Sequence, residues 1–441
     1  MRQRGLHRAF PLGRSESAAL LVLLASLVWG LGWVIGRPEI ADETYHRGQI
    51  LRFSGGHAPI LPMFPGYHFL MHLITLPWNK PGLDVYRAFS CALGVGSVGV
   101  FYLCMRALDP RVAMVRTLAY AALPVSYPLL FLVYTEPFSH LLMFASFLAV
   151  FRRRFVGAGL FGTLSLFVRQ TNVAWLGLAF AMTVLDTIGE ERAAGRGVVP
   201  RGSEAPGLSG GGGGALLRLA LSSLRNTWTF LVGFALFGLF VIHNRGLVMH
   251  SSFARHTSIL TGDSRFYSTN VFTVLLAFGI LFLPLVVGVI RAKRHRPASS
   301  ASPTRRAVIV ALLGTAVLLF LTTFHVTHPW NEDPWYLVNR LVGLGSTELG
   351  RYALLVVVLA SLLALTQLHL YRATMYLLYP VSVVALVPVW LISLRYELTP
   401  LVLVLLFVRS PGFRWEWLLA VYFLTWDALL LPGLASGRFF L

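Results

Sequence analysis

The chain has 441 residues, 56% of them hydrophobic and only 12% charged. So few charges cannot solvate the surface of a soluble protein of this length, so lipid is the expected solvent for most of it. The formal charge of +19 would point to nucleic acid in a soluble protein. In a membrane protein it is read loop by loop, and no nucleic-acid partner is expected.

Apolar runs long enough to cross a ~30 Å hydrocarbon core recur from end to end. Breaks at charges and at Pro or Gly clusters predict spans at 18–36, 86–105, 117–133, 137–151, 155–168 and 173–185. The second half adds 227–242, 271–290, 307–323, 352–370, 375–392, 399–408 and 415–432. The expected fold is therefore all-α, polytopic and integral to the membrane, a single transmembrane domain over 1–441 with about 12–13 helices. The first run follows Arg2, Arg4, Arg8 and Arg14 and lacks a small-x-small cleavage site, so it reads as an uncleaved anchor. Cys91 and Cys104 fall on one predicted helix, about 20 Å apart along its axis, too far for a disulfide.

With the N-terminus cytoplasmic, that segment and the alternate loops on its side hold 24 of the 37 Lys and Arg, as the positive-inside rule requires. Ten of the eighteen acids fall on the opposite face, Asp42, Glu43, Glu136, Asp333 and Glu397 among them. The segment 186–226, with its Gly210–Gly214 run, reads as a flexible cytoplasmic linker. The non-cytoplasmic loop 37–85 is rich in His, Pro and aromatics, and a loop of that length usually has structure and work to do.

The most informative stretch is Asp42-Glu43-Thr44-Tyr45-His46-Arg47-Gly48-Gln49. Two adjacent carboxylates and a His just outside a span make a candidate general base with orienting partners; a solvated juxtamembrane cluster is the structural alternative. Pro62-Met63-Phe64-Pro65-Gly66-Tyr67-His68 leads into an amphipathic run ending near Trp78, which suits an interfacial helix, with membrane anchoring alone as the other reading. Tyr134-Thr135-Glu136 and Arg169-Gln170-Thr171-Asn172 put polar groups at membrane depth, where they are expensive and point to function. Arg169 suits either an ion pair with Glu136 or phosphate binding.

Arg395-Tyr396-Glu397 falls on the same face between two late spans. The segment His325 to Asp333 offers His and acidic groups but lacks the spacings of a zinc site, so no metal is expected. No phosphate-cradling Gly-x-x-x-x-Gly-Lys loop is present, which disfavours an ATP-driven machine.

These motifs, in this order, resemble the eukaryotic dolichyl-phosphoglucose-dependent α-1,2-glucosyltransferases, GT-C-type enzymes of the endoplasmic reticulum. That family adds the last glucose to the dolichol-linked N-glycan precursor. Its Asp-Glu-x-Phe-His-x-x-Gln signature is matched by Asp42, Glu43, His46 and Gln49, with Tyr45 in place of Phe. Pro65-Gly66-Tyr67 is similar to its Pro-Gly-Leu-Tyr turn, Tyr134-Thr135-Glu136 to its Tyr-Thr-Asp, and Arg169-Gln170-Thr171-Asn172 matches outright. His328-Pro329 with Asp333 and Tyr336, and Arg395-Tyr396 with Pro400, resemble its later motifs; its Gly-Asp loop is displaced to Gly262-Asp263.

The resemblance implies an inverting transfer of glucose from dolichyl phosphate glucose to a dolichol-linked oligosaccharide, on the lumenal face and without a cofactor. Asp42 is then the base, with Glu43 or His46 as its positioning neighbours. Arg169 and Arg395, then His328 and Arg340, would receive the leaving phosphate. Gln49, Tyr67, Glu136, Gln170, Asn172, Asp333, Tyr336 and Tyr396 complete the substrate and phosphate site. A hydrophobic groove beside the first-loop helix would hold the polyprenyl tails. The competing classes are a transporter or flippase of a lipid-linked sugar, disfavoured because the two halves show no internal repeat, and a catalytically silent membrane scaffold.

Overall fold

The structure, a computed structural model, describes residues 13–78, 81–196, 212–247, 267–294 and 303–441. Gly262-Asp263 and residues 197–211 of the linker lie outside the described residues. The rest of segment 186–226 is helical, as extensions of its two neighbouring spans.

In chain order α1 (Arg14–Val34) is followed by two short helices of the first loop, α2 (Glu43–Ser54) and α3 (Gly66–Thr75). Next come α4 (Leu83–Leu108), α5 (Ala113–Ala121), α6 (Glu136–Phe151), α7 (Phe155–Leu166), α8 (Val173–Arg196) and α9 (Gly212–Asn244). The second half holds α10 (Thr269–Leu281), α11 (Leu283–Arg294), α12 (Pro303–Thr323), α13 (Leu337–Gly343) and α14 (Glu348–Gln367). It closes with α15 (Leu378–Leu386), α16 (Leu394–Phe407) and α17 (Phe413–Ala435). The described residues contain no sheet, only two isolated bridges, Tyr336 to Phe440 and Leu370 to Val408.

Among the described residues seven helices are long and apolar enough to cross a bilayer, and α10 with α11, bent by 70°, makes an eighth. The chain is thus an all-α, multi-pass membrane protein. The larger number of spans expected from hydropathy includes segments that are apolar because protein covers them. Residues 117–133 form the end of α5, a turn and a 3-10 turn at Pro128–Leu130, and every residue from 112 to 137 is buried. Likewise α16 is buried from Pro400 through Phe407 and is only 14 residues long. Helices α6, α7 and α15 are also short. Hydropathy reports an apolar surrounding without saying whether lipid or protein provides it.

The core runs through α5, which packs against α1, α4 and α17. Arg116, assigned from sequence to a basic loop, is fully buried. It pairs with Glu416 of α17 and donates to the carbonyls of Leu405 at 2.5 Å and Val408 at 3.1 Å. The clamp closes one end of the bundle by satisfying carbonyls that the end of α16 leaves open.

Helices α6 and α16 run in the same direction, with Phe147 and Phe151 against Phe407 at their C-terminal ends. At that end Asp186 meets Arg372 at 3.2 Å, and Arg153 meets Glu190 at 2.5 Å. The N-terminal ends of α6 and α16, about 20 Å away along the axis, carry Glu136 and Arg395. Polar chemistry is therefore divided between the two ends of the bundle.

Candidate active site

Four segments distant in sequence converge at the second end. The residue before α2, Asp42, follows Ala41, whose φ of 52° lies in the left-handed region, a strained choice for a residue with a Cβ. That turn carries the Asp42 amide to the Tyr134 hydroxyl, to which it donates at 2.9 Å. The Asp42 side chain is 44% exposed, while its Oδ2 accepts from Arg395 Nη1 at 2.6 Å.

Arg395 is the hub. Its Nε donates to Glu136 Oε1 at 2.8 Å, and its guanidinium lies 4.7 Å from the centre of the Tyr134 ring. Arg169 pairs with the same Glu136 oxygen and stands 5.8 Å from the Tyr396 ring centre. The ion pair expected as one option for Arg169 exists, and it belongs to a chain Asp42–Arg395–Glu136–Arg169. Glu136 is 3% exposed, so its charge is held where only the two guanidiniums offset it. Two cations and two anions leave the group neutral.

A cleft of about 30 Å³ opens among these groups, lined in part by Glu136, Arg169, Arg395 and Tyr396, with room for roughly one or two waters. His140 and Thr399 line it too, their Nε2 and Oγ1 3.5 Å apart. Sequence reasoning passed over both. Each follows a named site residue by four positions, Glu136 on α6 and Arg395 on α16, which is the spacing that shares a helix face. Tyr336 sits near enough to Asp42 that burial and then the Asp42 charge push its hydroxyl up.

Glu43 is placed as a buried anchor of the loop that carries Asp42. It is fully buried. Its Oε1 accepts from Arg87 Nε and Val133 N at 3.0 Å each. Its Oε2 accepts from Arg87 Nη2 at 2.5 Å and Ile40 N at 2.9 Å. Arg87 also donates to the carbonyls of Val34, Arg37 and Pro38, so the pair pins the first loop to the ends of α1 and α4. A carboxylate with that many donors has no oxygen left for a substrate proton.

His46 turns from Asp42 toward His68. Its Nδ1 lies 2.9 Å from His68 Nε2, and its ring meets Tyr134 edge-on at 5.2 Å. Burial, then the neighbouring His68 and Arg395, hold His46 well below its usual range; burial alone takes His68 down to about 3. The two rings are a neutral, buried pair beneath the site.

Several other expected site residues brace the segments that carry the cluster. Gln49 Oε1 accepts from Ile60 N at 2.7 Å, and the Tyr67 hydroxyl is 2.7 Å from Ser90 Oγ. Gln170 donates to the carbonyls of Pro62 at 2.7 Å and Leu247 at 2.9 Å. Asn172 donates to Ser139 Oγ at 2.8 Å and Ser165 O at 2.9 Å. Gly66 donates to the Phe167 carbonyl at 2.8 Å, and a Cβ there would overlap that carbonyl. The Pro65-Gly66 turn is thus docked directly against the stretch of chain that presents Arg169.

Three other expected groups have partners of their own. His328 is buried against Trp390, ring centres 4.6 Å apart, and accepts from Trp330 N at 3.1 Å. Asp333 is an exposed turn residue accepting from Trp335 N at 2.9 Å, and exposed Arg340 donates to Pro334 O at 2.6 Å. Neither Asp333 nor Arg340 has a contact with the cluster of four. Among the described residues no three His, Cys, Asp or Glu side chains are grouped as a metal ion would need.

An apolar cavity of about 350 Å³ adjoins the cleft, sharing Leu386 as a wall. It is lined from α10, α14, α15 and α16 by residues such as Phe278, Leu365, Leu378 and Leu401. It does not lie beside α2 and α3, where the sequence had suggested a groove.

Fold and site together define a polytopic, all-α membrane protein with a carboxylate and arginine chain at one end of its bundle, next to an apolar cavity. The sequence profile of the DIE2/ALG10 family matches residues 39–406, a stretch holding every member of that chain. The protein belongs to the DIE2/ALG10 family. It is 28% identical over 171 residues to a Dol-P-Glc:Glc(2)Man(9)GlcNAc(2)-PP-Dol alpha-1,2-glucosyltransferase of Arabidopsis thaliana. The match covers 33% of this chain and 33% of that relative. No solved structure matches.

Proposed function

We propose that the protein transfers glucose from dolichyl phosphate glucose to a dolichol-linked oligosaccharide, making an α-1,2 bond with inversion. It would do so in the endoplasmic reticulum membrane with the Asp42 end lumenal. The observation that carries this reading is the chain Asp42–Arg395–Glu136–Arg169, with its most exposed carboxylate at one end.

The donor is a phosphodiester with one negative charge, and the lipid phosphate that leaves gains a second. Arg395 and Arg169 are the cations in reach of the cleft, and they favour the state in which that second charge has developed. Glu136 is too deeply buried to give up its partners, whereas Asp42 holds Arg395 through a single contact at the exposed end. A donor phosphate that takes Arg395 Nη1 releases Asp42 Oδ2 for the acceptor hydroxyl. Asp42 then accepts the hydroxyl proton as the hydroxyl oxygen bonds to the anomeric carbon and the bond from that carbon to the phosphate oxygen breaks.

Charge stays balanced throughout. Before reaction the four side chains sum to zero; once Asp42 is protonated they sum to one positive charge, as the phosphate gains one negative charge. Matching the two changes within one cluster of fixed charges limits the reorganisation needed in the transition state. The apolar cavity sharing Leu386 with the cleft suits the first part of the lipid tail of a donor whose phosphate sits at the arginines.

The test is transfer of radiolabelled glucose from dolichyl phosphate glucose to lipid-linked oligosaccharide by purified protein in liposomes, with linkage analysis of the product. Labelled α-1,2-linked product is expected. Lipid-linked sugar crossing the bilayer without a new glycosidic bond would replace this reading with that of a flippase.

A further inference from the structure

Where a lipid groove was expected, the C-terminal ends of α2 and α3 and the start of α4 enclose a pocket of a different character. Its volume is about 430 Å³, within the range of roughly 300–1,000 Å³ usual for small-ligand sites. Ser54, His72, Thr75, Trp78 and Tyr86 line it with a few apolar residues. We propose that this pocket is a second sugar subsite, holding a hexose of the acceptor oligosaccharide remote from the reacting hydroxyl. The inference rests on the proposed glucosyl transfer.

The lining selects the ligand class. Trp78 is held edge-on against Phe89 at 5.5 Å yet stays 46% exposed, an aromatic surface suited to the C–H face of a sugar ring. His72 is stacked on Phe53 at 5.9 Å, and its Nδ1 lies 3.2 Å from Ser54 Oγ. An imidazole and a hydroxyl side by side can each donate to or accept from vicinal sugar hydroxyls. A plain hydrocarbon tail would leave Ser54 and His72 facing apolar groups.

Position agrees with chemistry. Helix α2 runs from the candidate base at its N-terminus to Ser54 at its end, about 18 Å along its axis. Its start is fixed by the buried Glu43–Arg87 pair and its middle by Gln49. A rigid helix of that length sets the spacing between the reacting hydroxyl and a sugar several units away in the same glycan. An extended acceptor could occupy both points at once, each adding to affinity.

The experiment compares two acceptors in the liposome assay, the complete lipid-linked oligosaccharide and a truncated one carrying only the sugars nearest the reacting hydroxyl. Trp78→Ala and His72→Ala are expected to raise KM for the complete acceptor about tenfold, leaving kcat, donor KM and all constants with the truncated acceptor unchanged. Trp78→Phe is expected to restore most of the affinity. Free oligosaccharide without lipid is expected to compete with the complete acceptor in the parent protein and much less in Ser54→Ala, a surface change that spares the fold. Unchanged KM for the complete acceptor, or an equal rise for both acceptors, overturns the subsite. A parent protein that transfers no glucose at all overturns the proposed function instead.

Discussion

Arg395 Nη1 lies 2.6 Å from Asp42 Oδ2, across 353 positions of sequence. The contact joins a residue just before the first helix of the first loop to one at the start of α16, and Glu136 extends it to Arg169. A carboxylate so placed is both half-exposed and under the control of a group that a phosphate can recruit.

Asp42→Asn keeps the shape and removes the proposed base. Transfer is expected to fall by about 10²–10⁴-fold with the protein still eluting as one species in detergent. Near-parent activity in that variant removes Asp42 from the role.

Arg395→Lys keeps the charge but cannot span Asp42 and Glu136 together, because an ammonium is a single point where a guanidinium is a fork. A loss of about 10²-fold in kcat is expected, the scale of removing one donor to a developing anion. A kcat within twofold of the parent would show that the bridging geometry is irrelevant.

Glu43→Gln tests an anchor, and the readout is stability. Arg87 would be left fully buried beside a neutral amide, and breaking such a pair costs about 3–5 kcal/mol. The melting temperature is expected to drop sharply, while the folded fraction retains turnover within a fewfold of the parent. A stable but inactive variant would instead return Glu43 to the chemistry.

Gly66→Ala probes the docking of the first loop on Phe167, where a Cβ meets a backbone carbonyl that cannot rotate away. Overpacking of this kind costs about 1–3 kcal/mol. The strain falls two residues before Arg169, so donor KM is expected to rise more than acceptor KM. Parallel changes in both would disconnect the turn from the cleft at Arg169.

The buried histidines predict an acid limit. Their folded-state values lie below the ordinary 6.5, His68 at about 3. Between those pH values the unfolded chain binds protons that the folded chain refuses, so stability is full above about 6.5 and falls as pH drops toward 3. Melting temperature is expected to be lower at pH 5 than at pH 7.5, and His68→Gln is expected to narrow that difference. An undiminished difference in the variant places the acid sensitivity elsewhere.

The all-α membrane class was legible in the sequence because apolar runs of bilayer length are a local property, as is the neighbourhood of Asp42, Glu136, Arg169 and Arg395 to polar breaks in those runs. Span number was less legible, since α16 is as apolar as the exposed helices while being wrapped in protein, and the apolar run 117–133 is buried turns and the end of α5. Among acidic and polar residues of one motif, adjacency concealed opposite roles. Asp42 and Glu43 are neighbours, yet the helix start turns one toward Arg395 and the other into Arg87.

What the amino-acid order determined by itself was the solvent and the inventory of reactive groups, because transfer free energy and motif spacing act along the chain. The tertiary structure alone decided which carboxylate is half-exposed, which arginine bridges and where a pocket opens at the far end of α2. Those outcomes depend on distances of a few ångströms between segments hundreds of residues apart, and electrostatics at that range is set by packing.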